Sequence, residues 1–140
     1  MRNGGARSSG KRRVAEAVLD ASAVLAMVRN EPGGEHVREV LPRAVISAVN
    51  YAEIVTKLID HGVSDSTAAE VVGDLDLEVV MLDAETAMEA CLLRESTRRW
   101  GLSLGDRACL ALARARGLPA VTADRSWASV DVGVEIVLIR

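Results

Sequence analysis

The chain has 140 residues, 49% hydrophobic and 26% charged, which are the proportions of one compact domain with a sizeable core. No stretch approaches the ~20 apolar residues of a membrane span, and residues 1–13 lack the apolar segment of a signal peptide, so a cytoplasmic protein without membrane contact is expected. The net charge of −3 is unevenly spread: Arg2, Arg7, Lys11, Arg12 and Arg13 precede residue 14 with no acid among them, which leaves the remainder at −8 and repulsive to phosphates unless bound cations neutralise some carboxylates.

Residues 1–13, rich in Gly, Ser and Arg and without apolar periodicity, are expected to be a disordered basic tail, either a solvated extension or an RNA-contacting arm. From Val14 onward, short β-branched runs alternate with segments of 3.6-residue period, so 14–140 reads as one α/β domain on a parallel sheet. The first strand is expected over 17–20 (AVLD), followed by helices near 21–29 and 34–41. A second strand over 44–47 (AVIS) leads through Ser47 into helices 48–61 and 65–74, the first of them stopped by Gly62. The third strand, 78–82 (EVVML), precedes a long helix over 84–100 that Gly101 halts. Ser103 starts a helix over 104–116, which ends at Gly117. A fourth strand at 120–122 (AVT), a short helix after Asp124 and a fifth strand at 135–139 (EIVLI) complete the order. All five strands are apolar runs, as strands covered on both faces should be.

Cys91 and Cys109 fall on separate helices without a CxxC pattern, and with His36 and His61 as the only imidazoles they read as buried apolar fillers, not zinc ligands. Tyr51, Trp100 and Trp127 are too few rings for a base-stacking surface. Nucleic-acid contact would therefore be mainly electrostatic, with Arg94, Arg98, Arg99, Arg107, Arg114, Arg116 and Arg125 as sources of positive charge.

Four acids stand out, and each has two readings. Asp20 ends the first strand and is either a helix cap or a ligand at the carboxyl edge of the sheet. Glu53, in SAVNYAEIVTKL, is either an exposed partner for Lys57 at i+4, worth ~0.3–0.5 kcal/mol, or a second ligand. Asp106, three residues after Ser103, fits a capping box, yet its helix neighbours Leu102, Cys109 and Leu110 set it on an apolar face where an acid needs a partner. Asp124, in VTADRSW, caps a short helix or flanks a site.

A helix that links parallel strands runs antiparallel to them, so all four acids map to the carboxyl edge of the sheet. Strand order is not legible in the pattern itself. If the first and fourth strands are neighbours, Asp20 and Asp124 flank the crevice of the switch point. Carboxylates converging there would repel one another unless magnesium or manganese, hard cations suited to oxygen ligands and phosphates, neutralised them.

These segments resemble the PIN domain family, and within it the VapC-type toxins of toxin–antitoxin pairs. The resemblance runs from about Val18 to Trp127 and is carried by VLDASAVLA, AVNYAEI, LSLGDRACLALA and VTADRSW in that order. It implies a three-layer fold with a parallel five-stranded sheet of order 3-2-1-4-5 and a magnesium- or manganese-dependent endoribonuclease. Asp20, Glu53, Asp106 and Asp124 would be the metal-holding catalytic acids, and Ser22 and Thr122 would position water or a carboxylate. It further implies an RNA substrate, a homodimer, and a cognate antitoxin that fills the acidic cleft. Trp127 departs from the Phe more usual in the family and reads as an equivalent apolar anchor. A haloacid-dehalogenase-like phosphatase would want a second Asp where Ser22 stands, and a receiver domain would want an acidic pair at the first strand. A catalytically silent RNA- or protein-binding module is the remaining alternative, and the retention of all four acids weighs against it.

Overall fold

A computed structural model describes residues 14–140; the expected basic tail over 1–13 lies outside the described residues. Five parallel strands, β1 (Ala17–Leu19), β2 (Ala44–Ser47), β3 (Glu78–Val80), β4 (Ala120–Thr122) and β5 (Ile136–Leu138), form one sheet in the order β3-β2-β1-β4-β5. Seven α-helices flank it: α1 (Ala21–Val28), α2 (Gly34–Val40), α3 (Ala48–Asp60), α4 (Asp65–Asp74), α5 (Ala84–Leu92), α6 (Arg94–Thr97) and α7 (Leu104–Arg116). Short 3-10 turns cover Leu41–Arg43, Arg98–Trp100 and Arg125–Ser129.

Alternate side chains along each strand enter opposite cores. Ala17, Leu19, Ala44, Ile46 and Val121 pack with α1 to α4, through Val24, Val37, Ile54, Leu58 and Val72. Val18, Val45 and Ala120 pack on the other face with Leu110 and Cys109 of α7, Ala90 of α5 and Trp127. The chain winds from β1 outward to β3, then crosses back to place β4 against the free side of β1, with Val18 opposite Ala120 and Leu19 opposite Val121. The switch point therefore lies between the C-terminal ends of β1 and β4.

Three expectations change. The helix expected over 84–100 is broken at Leu93, whose carbonyl accepts from the Thr97 amide at 3.1 Å, from Thr97 Oγ1 at 2.7 Å and from Ser96 Oγ at 3.2 Å. Hydroxyls that compete for a carbonyl favour such a break. The outer strands β3 and β5 are only partly covered, with Val79 39% exposed, because they form the two edges of the sheet. Cys91 is exposed on α5, where Ala90 and Leu93 take the buried positions, while Cys109 is buried as expected.

Trp127 is fully buried, and its indole N–H finds no hydrogen-bond partner among the described residues. Trp127→Ala should therefore cost ~3–5 kcal/mol through the cavity it leaves. Trp127→Phe keeps much of the ring and forfeits no hydrogen bond, so it should cost less than half of that. Denaturant unfolding of the three proteins measures the difference; equal losses for Ala and Phe would show that ring packing is not what anchors this segment.

Candidate metal centre

The four acids reach one cleft of about 400 Å³ from four different elements, and Asp20, Glu53, Asp106 and Asp124 all line it. Asp20 follows β1, Glu53 sits in α3, Asp106 in the first turn of α7, and Asp124 just after β4. Since β1 and β4 are paired, the condition that puts Asp20 and Asp124 on either side of the switch point is met.

The competing cap readings resolve differently for each acid. Asp20 occupies the N-cap position of α1 but makes no side-chain cap bond; its Oδ2 instead accepts from Ser22 Oγ at 2.6 Å and Thr122 Oγ1 at 2.9 Å. Asp106 does complete the capping box, its Oδ2 accepting from the Ser103 amide at 2.9 Å while Ser103 Oγ accepts from the Asp106 amide at 3.1 Å. Asp124 caps the 3-10 turn, its Oδ1 accepting from the Ser126 amide at 2.9 Å. Glu53 makes no salt bridge with Lys57; its Oε1 accepts from Asn50 Nδ2 at 3.0 Å. Capping and facing the cleft are thus compatible. Each carboxylate has one oxygen engaged, and the other accepts no hydrogen bond from the described residues.

Electrostatics show what such a gathering costs. Asp20, 2% exposed, has its pKa raised from 3.8 to about 6, chiefly by burial and further by the charges of Asp106 and Glu53, against the two hydroxyl bonds. Glu53 and Asp106 are also pushed up, in both cases mainly by burial; Asp106 adds to the shift of Glu53, and Asp124 to that of Asp106. Burial and the same carboxylates push the Cys109 thiol well above its ordinary range, which suits an inert filler. Among the described residues, no three His, Cys, Asp or Glu side chains are drawn together into a ready ligand cluster. The four acids share the lining of one cleft without forming such a cluster. Hard oxygen donors, mutual repulsion and one unengaged oxygen on each carboxylate are what a magnesium or manganese ion fits.

Two supporting residues escaped the sequence reading. Asn50, fully buried one turn before Glu53, donates Nδ2 both to Glu53 Oε1 and to the Gly105 carbonyl, each at 3.0 Å, and so ties α3 to α7. Gly105 leaves the space that the Glu53 carboxylate fills, since a Cβ there would overlap it. The signal was a short polar residue three positions before an acid on an apolar stripe, and a Gly beside Asp106. Besides holding Asp20, Ser22 Oγ accepts from the Ala123 amide at 2.9 Å, and Thr122 Oγ1 from the Asp124 amide at 3.0 Å, which stitches the ends of β1 and β4 together. None of the seven arginines expected to offer positive charge lines the cleft. Arg107 is 9% exposed and donates to the Ala90 carbonyl at 3.0 Å, because α5 packs over that face of α7.

The class this fold and site define is a doubly wound α/β domain with carboxylates gathered at its switch point, and the comparisons with known proteins narrow that class. The PIN domain profile matches residues 17–133. The chain belongs to the PIN domain family. No curated protein sequence matches it. Among solved structures, the DNA-bound VapBC complex of Salmonella typhimurium is similar at a TM-score of 0.70 and 21% identity, over 91% of this chain and 100% of that one. A toxin–antitoxin complex of Klebsiella pneumoniae matches at 0.69 and 17%, covering 89% and 98%. VapC20 of Mycobacterium tuberculosis, described as a toxin that cleaves the sarcin–ricin loop, matches at 0.66 and 17%, covering 86% and 99%. Identities this low establish a shared fold.

Two outcomes follow from this geometry. Because Asp20 has a pKa of about 6 when folded and 3.8 as its ordinary value, the native state holds more protons between those pH values. Metal-free stability should then fall as pH rises from about 4 to 6 and stay low above that, by up to about 3 kcal/mol. Asp20→Asn removes this ionisation, so in EDTA it should melt at or above the wild type at pH 7 and lose that advantage near pH 4. Melts that show several degrees lost at both pH values would make Asp20 a structural residue. For Gly105→Ala the clash is with the end of a flexible side chain, so the melting temperature should change little while the displaced Glu53 carboxylate lowers manganese affinity at least tenfold. Calorimetric titration reads the affinity, and an unaltered value would mean Glu53 is not a ligand.

Proposed function

We propose that this protein is a magnesium- or manganese-dependent endoribonuclease, the toxin of a toxin–antitoxin pair. The observation that carries the reading is the set of four carboxylates delivered by four separate elements to the β1–β4 switch point, each with one oxygen fixed by the protein and one unengaged. Asp20, Glu53, Asp106 and Asp124 would hold the ion. Bound there, a divalent cation supplies Lewis acidity that activates a water and stabilises the leaving oxygen of a phosphodiester. The chain's own residues do the rest. Ser22 and Thr122 lock the Asp20 carboxylate in one orientation, Asn50 fixes Glu53, and the capping box aims Asp106.

Ser22, Ser103 and His61 line the cleft, but the serine hydroxyls bond to Asp20, Thr122 and backbone amides and the imidazole to Arg29 and the Lys57 carbonyl, so no Ser–His hydrogen bond is formed there, and Cys109 is sealed in the core. RNA as substrate is supported by the family and by the description of VapC20. An antitoxin partner is supported by fold neighbours that are toxin–antitoxin complexes. A homodimer is supported by the exposed apolar side chains of Met81, Met88 and Leu92, 83%, 60% and 66% exposed around α5. Among the described residues, no helix is long and apolar enough to cross a membrane.

Cleavage of single-stranded RNA should require magnesium or manganese and stop in excess EDTA. Asp106→Asn should retain the capping geometry and the melting temperature yet lower kcat by two orders of magnitude or more, since an amide is a poor ligand for a hard cation. Undiminished cleavage in EDTA would sink the mechanism, and near-normal turnover by Asp106→Asn would reduce this residue to a helix cap.

A further inference from the structure

The cleft has two chemically different ends. Beyond the four acids, its lining continues through Arg29, Lys57, His61 and Arg140, with Glu31 as the one further acid. Arg29 follows the last residue of α1, Lys57 lies in the last turn of α3, and His61 follows α3, so two helix C-termini, which favour cations, converge on this side. Glu53, Lys57 and His61 recur at i, i+4 and i+8, stacked along one helix line with a rise of ~6 Å per step. That step is of the same order as the separation of successive phosphates in an extended single strand.

Two of the cations on this wall are not spent on carboxylates. Arg140 pairs with Glu31 at 3.0 Å, but neither Lys57 nor Arg29 has an acid within salt-bridge distance among the described residues. Among the described residues, the one side-chain hydrogen-bond contact of Arg29 is from Nη2 to His61 Nδ1 at 3.2 Å, and the same Nδ1 stands 2.8 Å from the Lys57 carbonyl. A single ring nitrogen cannot accept from Arg29 and donate to a carbonyl at once. With the shorter contact made by Nδ1–H, the guanidinium at Nη2 has no acceptor among the described residues and is open to one from outside the protein. Lys57 also stands close enough to the acids to hold the carboxyls of Glu53 and Asp106 down, although burial outweighs it.

We propose that Arg29 and Lys57 form a phosphate-holding wall that seats the backbone phosphates adjoining the scissile one. The wall positions a single-stranded RNA across the cleft, one phosphate at the acids and its neighbours at the cations, and so gives the strand a fixed polarity. The inference rests on the RNA-cleaving reading above and adds to it the residues that grip the strand beside the cut. These are positioning residues; the chemistry stays with the acids.

The test uses the full chain and a labelled single-stranded RNA of about ten nucleotides, within the site sizes of single-strand binders. Binding is followed by anisotropy against salt in calcium, and cleavage in manganese, for the wild type, Lys57→Gln, Arg29→Gln and Lys57→Arg. Each Gln variant should weaken binding severalfold and flatten the salt slope by about one. KM should rise with kcat within about twofold, and Lys57→Arg should restore both slope and KM. Unchanged slopes and KM values in both Gln variants, with wild-type cleavage intact, overturn the wall alone. Loss of antitoxin binding with RNA binding unaltered also overturns it, by assigning the wall to a protein partner. A wild type that binds RNA and does not cleave it in manganese overturns the nuclease reading instead, while the variants' salt slopes still judge the wall.

Discussion

Like charges crowded at one edge of a sheet are the constraint on which the rest of this structure depends. Four carboxylates in one cleft repel one another, and a chain free to relax would turn them out to water. Here each is denied that freedom by a hydrogen bond made within its own element or to a neighbour: Ser22 and Thr122 on Asp20, Asn50 on Glu53, the Ser103 amide on Asp106, the Ser126 amide on Asp124. The caps that look like alternatives to a functional role are therefore the means of preorganising it. A carboxylate that spends one oxygen on a backbone amide keeps its direction and still presents the other.

The strain this creates is confined by what surrounds it. Below the cleft, Val18, Leu19, Val121 and Cys109 are sealed in two apolar cores that fill both faces of the sheet. A domain with that much buried apolar surface can tolerate a locally destabilised site such as the buried Asp20, whose pKa is raised chiefly by burial and further by Asp106 and Glu53. The same logic explains Gly105: close approach of α7 to α3 is needed to bring Asp106 beside Glu53, and only a residue without a Cβ leaves room for the Glu53 carboxylate between them.

Charge across the cleft is arranged rather than merely summed. The described domain is acidic overall, yet its positive charge at the cleft comes from Arg29, Lys57 and Arg140, held at or near element ends, and not from the arginine-rich stretch between Arg94 and Arg125. Those arginines serve other ends: Arg114 pairs with Glu89 at 2.7 Å, Arg98 with Glu95 at 3.3 Å, and Arg107 satisfies a carbonyl where the helix pair α5 and α6 breaks. Counting basic residues along the chain points to the wrong ones, because which side of a helix faces the cleft decides what a charge can touch.

Local features of this chain were legible because they are set over a few residues. Apolar runs mark the strands, Ser47, Ser103 and Gly117 mark helix ends, and the four acids fall at strand-to-helix junctions or in the opening turns of helices, all on the carboxyl edge. Three matters needed the tertiary structure. The pairing of β1 with β4, which brings Asp20 and Asp124 to one crevice, joins residues about a hundred positions apart and leaves no periodic trace in either. Asn50, Gly105, Arg29 and Lys57 gain their roles only from what lies across the gap between helices. The break at Leu93 and the exposure of Cys91 depend on competition for one carbonyl and on how α5 lies against α7. Short-range stereochemistry writes helices, strands and caps into the sequence, whereas contact between distant segments is decided by packing, where many residues contribute and none carries the signal alone.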